Sequence, residues 1–163
     1  MTDPLLLIQV LVLLGVANGV PVLARKLCKN WLAAPLDGGV KFLDGDPLFG
    51  ASKTIRGVVA SIALTALIGV ILGFDLSLGA SLAGLSMLGD LASSFVKRRM
   101  GLEVHAQAFG LDQIPEALLP LLILRESLGL AWGDVIVLVL AFMVLGVLLS
   151  RVLHKIGLRE HPY

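Results

Sequence analysis

Two carboxylates set close to apolar sequence, each with cations nearby, are the part of this chain best equipped for chemistry. Asp90 lies near the end of an apolar run and is followed by Ser93, Ser94 and the basic triplet Lys97-Arg98-Arg99, while Asp112 follows in Leu111-Asp112-Gln113. Asp90, Ser93, Ser94 and Lys97 stand at i, i+3, i+4 and i+7, so a helix carries them on one face. A carboxylate near the end of an apolar run has to be stabilised by a partner, a metal or water, and acids within membrane segments commonly mark functional sites. The plainer alternative is a structural ion pair between Asp90 and Lys97 or Arg98. Mg2+ takes one or two carboxylates and completes its shell with phosphate oxygens and water. Phosphoryl-type transfer is largely a matter of positioning and charge neutralisation.

The polar stretch 25–56 carries the other parts such a site needs. It holds Pro35-Leu36-Asp37-Gly38-Gly39, then Asp44-Gly45-Asp46-Pro47, then Gly50-Ala51-Ser52-Lys53-Thr54-Ile55-Arg56. Glycines let backbone approach a ligand, carboxylates can hold a divalent cation, and Lys53 with Arg56 can neutralise phosphate. Taken singly, each piece is an ordinary surface turn. Gly50-Ala51-Ser52-Lys53-Thr54 is not a phosphate-binding P-loop, because Lys53 does not directly follow a glycine and no strand precedes it. Glu103 and His105 fall in a short polar loop, where a lone histidine is ordinarily just solvated.

The elements that must position these residues are membrane helices. Of 163 residues 57% are hydrophobic and 15% charged, with a mean hydropathy of +0.94, which is integral-membrane composition. A net charge of +1 gives no ground for nucleic-acid binding. Apolar runs predict five spans at about 5–24, 58–74, 76–96, 112–128 and 131–153. The first shows no basic leader and no small-residue cleavage site, and is expected to be retained. Asn18-Gly19-Val20-Pro21 reads either as the end of that helix or as a broken end lining a polar cavity. The third span carries Gly79, Gly84 and Gly89, small residues that allow close helix packing. In the fourth, an apolar run of only 11 residues, 114–124, short for a span, together with Pro115, Glu116 and Pro120 points to a distorted helix bordering a polar site. Twelve of the thirteen lysines and arginines fall on one side of this layout, Arg125 alone on the other, which puts the N-terminus outside and the C-terminus in the cytoplasm. The expected fold is therefore an all-α integral membrane protein with five transmembrane helices, 1–163 forming one membrane-embedded domain in the cell membrane, with its site facing the cytoplasm. Cys28, the one cysteine, lies beside Arg25, Lys26 and Lys29, on the reducing side.

Asn18-Gly19-Val20-Pro21, Pro35-Leu36-Asp37-Gly38-Gly39, Asp44-Gly45 with Leu48-Phe49-Gly50, Ser52-Lys53-Thr54-Ile55-Arg56-Gly57, Gly89-Asp90-Leu91 with Ser94-Phe95-Val96-Lys97-Arg98-Arg99, and Leu111-Asp112-Gln113 together resemble the CDP-archaeol synthase family. That family is itself similar to the catalytic half of bacterial CDP-diacylglycerol synthases. The resemblance runs over roughly residues 15 to 120. It implies a five-helix membrane enzyme that uses CTP and Mg2+ to cytidylylate a glycerolipid phosphate, releasing pyrophosphate. On that basis Asp90, Asp112 and Lys97 are the expected catalytic residues. Asp37, Gly38, Gly39, Asp44, Lys53, Thr54, Arg56, Ser94, Arg98 and Arg99 are expected at the nucleotide, and Asp90, Asp112 and Glu116 at the metal. Where the family pattern continues with a second acid two residues after Leu-Asp-Gln, this chain has Pro115 and then Glu116. Either Glu116 takes that place with a longer arm, or this branch holds metal or lipid differently. The expected partners are CTP, a glycerolipid phosphate and membrane lipids; the sequence leaves homodimerisation open. A small membrane transporter of an anionic metabolite is the alternative, weakened by the lack of a convincing internal repeat. A CDP-alcohol phosphatidyltransferase is disfavoured because its acid-rich signature is absent.

Overall fold

The structure, a computed structural model, describes residues 3–28, 31–103 and 108–155; His105 and the basic residues Lys29 and Arg159 lie outside them. The described residues form five helices, α1 (Pro4–Cys28), α2 (Ile55–Ile71), α3 (Leu76–Arg99), α4 (Gln113–Ile123) and α5 (Trp132–Lys155). α3 packs against α1, α2 and α4, while α5 lies on α4 and α1. The shared core is aliphatic, built from Val10, Leu13 and Leu14 of α1, Leu82 of α3, Leu121 of α4 and Leu138 of α5. By length and composition α1 and α3 are long and apolar enough to cross a bilayer; α2, α4 and the apolar part of α5 are shorter.

The helix boundaries differ from the predicted spans for local reasons. α1 neither ends nor breaks at Asn18–Pro21 and runs on to Cys28. Pro21 has no N–H to give the Ala17 carbonyl four residues back, and the Ser61 hydroxyl of α2 donates to that carbonyl instead, at 2.6 Å. Asn18 is spent on packing as well: its amide donates to Leu14 O and to Ser86 Oγ of α3, each at 2.9 Å. α2 starts three residues before the apolar run does, because the Thr54 side chain accepts the Gly57 N–H and caps it. It stops in a Schellman turn, with Gly73 at φ +92° and the N–H of Phe74 donating to Gly69 O. α3 continues through Lys97, Arg98 and Arg99, which form its last turn, where cations suit the helix dipole.

The largest departure is α4. The predicted span 112–128 is a helix only over its 11 residues Gln113–Ile123, about 16 Å at 1.5 Å per residue, roughly half the hydrocarbon thickness. It ends in turns, with Leu124, Leu128 and Leu130 N–H groups bonded to Pro120, Leu124 and Arg125 carbonyls and Gly129 at positive φ. Arg125 stacks 4.8 Å over the Trp132 ring at the start of α5.

The Pro21–Ser61 compensation is testable by a double-mutant cycle. Ser61→Ala strands the Ala17 carbonyl and is expected to cost about 1 kcal/mol, seen as a lower melting temperature in detergent. In a Pro21→Ala background, where the helix supplies its own donor, the same substitution should be nearly silent. Equal costs in both backgrounds would refute the assignment.

Candidate active site

The loop between α1 and α2 is held by one carboxylate. Asp37 is buried at 9% exposure. Its Oδ1 accepts the Gly39 N–H and its Oδ2 accepts those of Phe49 and Gly50, all at 3.0 Å. Burial alone would raise its pKa, but these three donors outweigh it and hold the carboxyl below its ordinary 3.8. Gly38, Gly39, Gly45 and Gly50 all take positive φ, so the turns around Asp37 require the residue type found there. The strand-like pairing of Pro35 with Thr54, through Leu36 N–H to Lys53 O at 2.7 Å, brings Lys53 back beside the helices.

Arg99 fixes the other half of the loop. Its guanidinium lies 4.9 Å over Phe42 and 4.8 Å over Phe95, two rings that meet edge to face at 5.2 Å. Its Nε pairs with Asp44 at 2.6 Å and its terminal nitrogen donates to Pro47 O at 2.9 Å. Cation–π contact and ion pair together tie the hairpin 41–47 to the last turn of α3.

Lys53, so placed, reaches Asp90 with both carboxylate oxygens in range of Nζ, at 2.5 and 2.6 Å. Lys97, one face along α3 from Asp90, pairs with Asp112 Oδ1 at 2.6 Å, and Asp112 Oδ2 accepts the Ala108 N–H at 3.0 Å. Glu116, in the first turn of α4, stands where that helix crosses α3 beside Asp90. Gly89 makes the crossing possible. A Cβ there would overlap the Pro115 carbonyl oxygen and lie 2.5 Å from its carbon and 2.8 Å from the Glu116 nitrogen, so α3 and α4 cross backbone to backbone one residue from Asp90.

Five predicted site residues therefore converge: Lys53, Asp90, Lys97, Asp112 and Glu116. The others are engaged within the protein. Asp37 holds its loop, Thr54 caps α2, and Asp44 and Arg99 hold each other. Arg56 donates from its side chain to Trp31 O, and Arg98, 5% exposed, donates to Glu103 O at 2.8 Å. Ser94 is buried on the Asp90 face of α3, and beside it Ser93 Oγ donates to Asp90 O at 2.9 Å. The aromatic clamp of Phe42 and Phe95 was not foreseen; an arginine at a helix end with two phenylalanines within reach is its only sequence trace.

The described residues thus form an all-helical bundle with a charged cluster of three acids and two lysines. The same architecture occurs in a solved structure of an intramembrane enzyme for archaeal membrane lipid biosynthesis, with a TM-score of 0.73 and 31% identity over 85% of this chain and 89% of that one. The CDP-archaeol synthase (CarS-like) family model matches residues 64–163. A CDP-archaeol synthase of Sulfurisphaera tokodaii is 33% identical over 156 residues, 91% of this chain and 89% of that one. One of Thermofilum pendens is 30% identical over 154 residues, 91% and 76% of the two chains. The chain belongs to the CDP-archaeol synthase family and is a CTP-using nucleotidyltransferase.

Two outcomes follow from the geometry. Gly89→Ala should force α4 off α3 and lower kcat on the order of 100-fold. Gly15→Ala, whose added methyl meets nothing within 4 Å, should leave kcat near the parent value; equal activity of the two variants would contradict the crossing. Asp37 has a depressed pKa, so its contribution to stability is full above the unfolded value of 3.8 and is lost as pH falls below it. The gap in melting temperature between parent and Asp37→Asn should accordingly be constant at neutral pH and close below about pH 4.

Proposed function

We propose that this chain transfers the cytidylyl group of CTP to the phosphate of an archaeal ether glycerolipid, of the 2,3-bis-O-geranylgeranylglycerol 1-phosphate type, with pyrophosphate as the leaving group. The observation that carries this reading is the cluster of three carboxylates and two lysines set on an apolar helix bundle, with open apolar grooves whose linings include the sequence neighbours of Asp90 and Glu116. One groove, of about 530 Å3, is lined by Val58 and Ile62 of α2 and by Leu85, Leu88 and Leu91 of α3. Another, of about 270 Å3, lies between Gly89 and Ala92 of α3 and Pro115, Leu118 and Leu122 of α4. Charge next to hydrocarbon is what a polar nucleotide and a lipid phosphate need in order to meet. The similarity to archaeal proteins named CDP-archaeol synthase supports an ether lipid rather than phosphatidic acid as the acceptor.

The donor set suits Mg2+. Its carboxylates are hard oxygen ligands, and among the described residues no three or more of His, Cys, Asp or Glu are grouped so as to hold an ion by themselves. An ion bound by one or two carboxylates with phosphate oxygens and water is compatible with that. Of the three acids expected at the metal, Asp90 with either Asp112 or Glu116 would hold it, and when bound it would neutralise charge developing on the phosphates. Lys53 and Lys97 bind phosphate oxygens. The Asp37 loop, held rigid over α3, supports the nucleotide side. Arg98 and Arg99 contribute by placing the end of α3 and its loop. A lipid phosphate oxygen attacks the α-phosphorus, a new P–O bond forms, and the bond to the β-phosphate oxygen breaks in line, so no protein nucleophile takes part. In the membrane, the charge distribution supports five spans with the N-terminus outside and the segments 25–56 and 97–111 on the cytoplasmic side.

Purified protein incubated with labelled CTP and Mg2+ should yield a CDP-lipid from the geranylgeranyl ether phosphate and little from phosphatidic acid. Asp90→Asn should lower turnover at least 1,000-fold, roughly 4 kcal/mol of transition-state stabilisation, while leaving folded protein. Near-normal turnover in that variant would sink the assignment.

A further inference from the structure

The two lysines of the cluster occupy the carboxylate atoms that a cation would use. Lys53 Nζ lies on both oxygens of Asp90, at 2.5 and 2.6 Å, and Lys97 Nζ lies on Asp112 Oδ1 at 2.6 Å. Both are largely enclosed, with side-chain exposures of 21% and 9%. A divalent ion bound to these oxygens at about 2.0–2.1 Å would be driven against an ammonium group, with little water to screen the repulsion. Nor does the cluster draw such an ion strongly by charge. Three carboxylates against two ammoniums leave at most one excess negative charge.

The site therefore resists metal alone, and by the same ion pairs it resists a polyanion alone. Phosphate oxygens could draw the lysines away only by leaving Asp90 and Asp112 as bare carboxylates beside a triphosphate. When both ligands enter, each relieves the other: the lysines turn to phosphate and the carboxylates turn to metal. The flexible four-carbon stem of lysine allows that exchange without moving a helix, whereas α3 and α4 are locked together at Gly89.

We infer that Lys53 and Lys97 are exchangeable counter-ions, holding Asp90 and Asp112 in the nucleotide-free enzyme and passing to phosphate oxygens on loading, so that divalent cation and nucleoside triphosphate bind interdependently. This rests on the cytidylyl-transfer reading above. It assigns the lysines a role in keeping metal out until nucleotide arrives, and it predicts a coupling that must be reciprocal.

The test uses the full chain in detergent, with Mn2+ as the cation and its free electron-spin-resonance signal as the readout. CTP binding is measured separately by equilibrium dialysis, in chelator and at saturating Mn2+. The parent should bind Mn2+ weakly without nucleotide. Lys53→Gln and Lys97→Gln should each bind Mn2+ alone roughly tenfold or more tightly than the parent, while binding CTP more weakly and losing most of the benefit Mn2+ gives to CTP in the parent. Unchanged or weaker Mn2+ binding in both variants overturns the inference, as does a parent that binds CTP equally well in chelator and in Mn2+. That last measurement needs no variant to fold. A parent that fails to bind CTP under either condition overturns instead the assignment of CTP to this site, which separates the two failures.

Discussion

Carboxylates on an apolar helix bundle have to be met by positive charge, and most of the polar architecture of this protein answers that requirement. Asp90 sits on a helix that packs against α1, α2 and α4. Its counter-ion comes from a loop 37 residues earlier in sequence. For Lys53 to arrive, the loop must turn back at Pro35 and Thr54, and for those turns to hold, Asp37 must satisfy three backbone donors. The hairpin beyond is tied down by Arg99, which grows from the same helix as Asp90. One electrostatic need thus reaches from the bundle interior to the loop surface.

The second constraint is steric. Membrane helices have no strong hydrophobic drive toward one another and associate through close packing and polar contacts. Here both occur at chosen points. Gly79 meets the backbone of Ala66 and Thr65 with a Cβ clearance of only 3.0–3.1 Å, Asn18 joins α1 to α3 through Ser86, and Gly89 lets α4 lie on α3. The last of these is beside the charges, so the tightest packing and the chemistry share one crossing.

Much of this was legible in sequence. The five helices follow from apolar run lengths, and the shared face of Asp90, Ser93, Ser94 and Lys97 from helical spacing. That Asp112 and Lys53 belong with them followed from family resemblance and from the need to neutralise buried acid. What could not be read was who pairs with whom. Asp90 had Lys97 and Arg98 at helical spacing, yet Lys53 holds it, because Lys97 is turned to Asp112. Asp37, Asp44 and Arg99 have the composition of a phosphate site, but their geometry is that of a loop scaffold; carboxylate and guanidinium side chains serve both purposes, and only coordinates separate them. Pro21 illustrates the limit of local rules. A proline marks a helix end when nothing replaces the missing donor, and the replacement, Ser61, lies 44 residues beyond the Ala17 carbonyl it serves. The apolar run 114–124 already pointed to a short α4; the span 112–128 overshot it because hydropathy does not distinguish helix from the apolar turns that follow it.

The loop built on Asp37 has a thermodynamic side as well. A glycine-rich segment that ordered itself only around its ligand would surrender backbone entropy at the moment of binding, about 1–2 kcal/mol for each residue fixed. Here the glycines are already locked by one carboxylate and one arginine clamp, so that entropy was lost when the chain folded. A site framed by such a loop can remain modest in affinity and still hold its ligand in one orientation. An enzyme that must release a bulky nucleotide-lipid back into the bilayer gains from such an arrangement, because rigidity supplies orientation without tightening the hold on product.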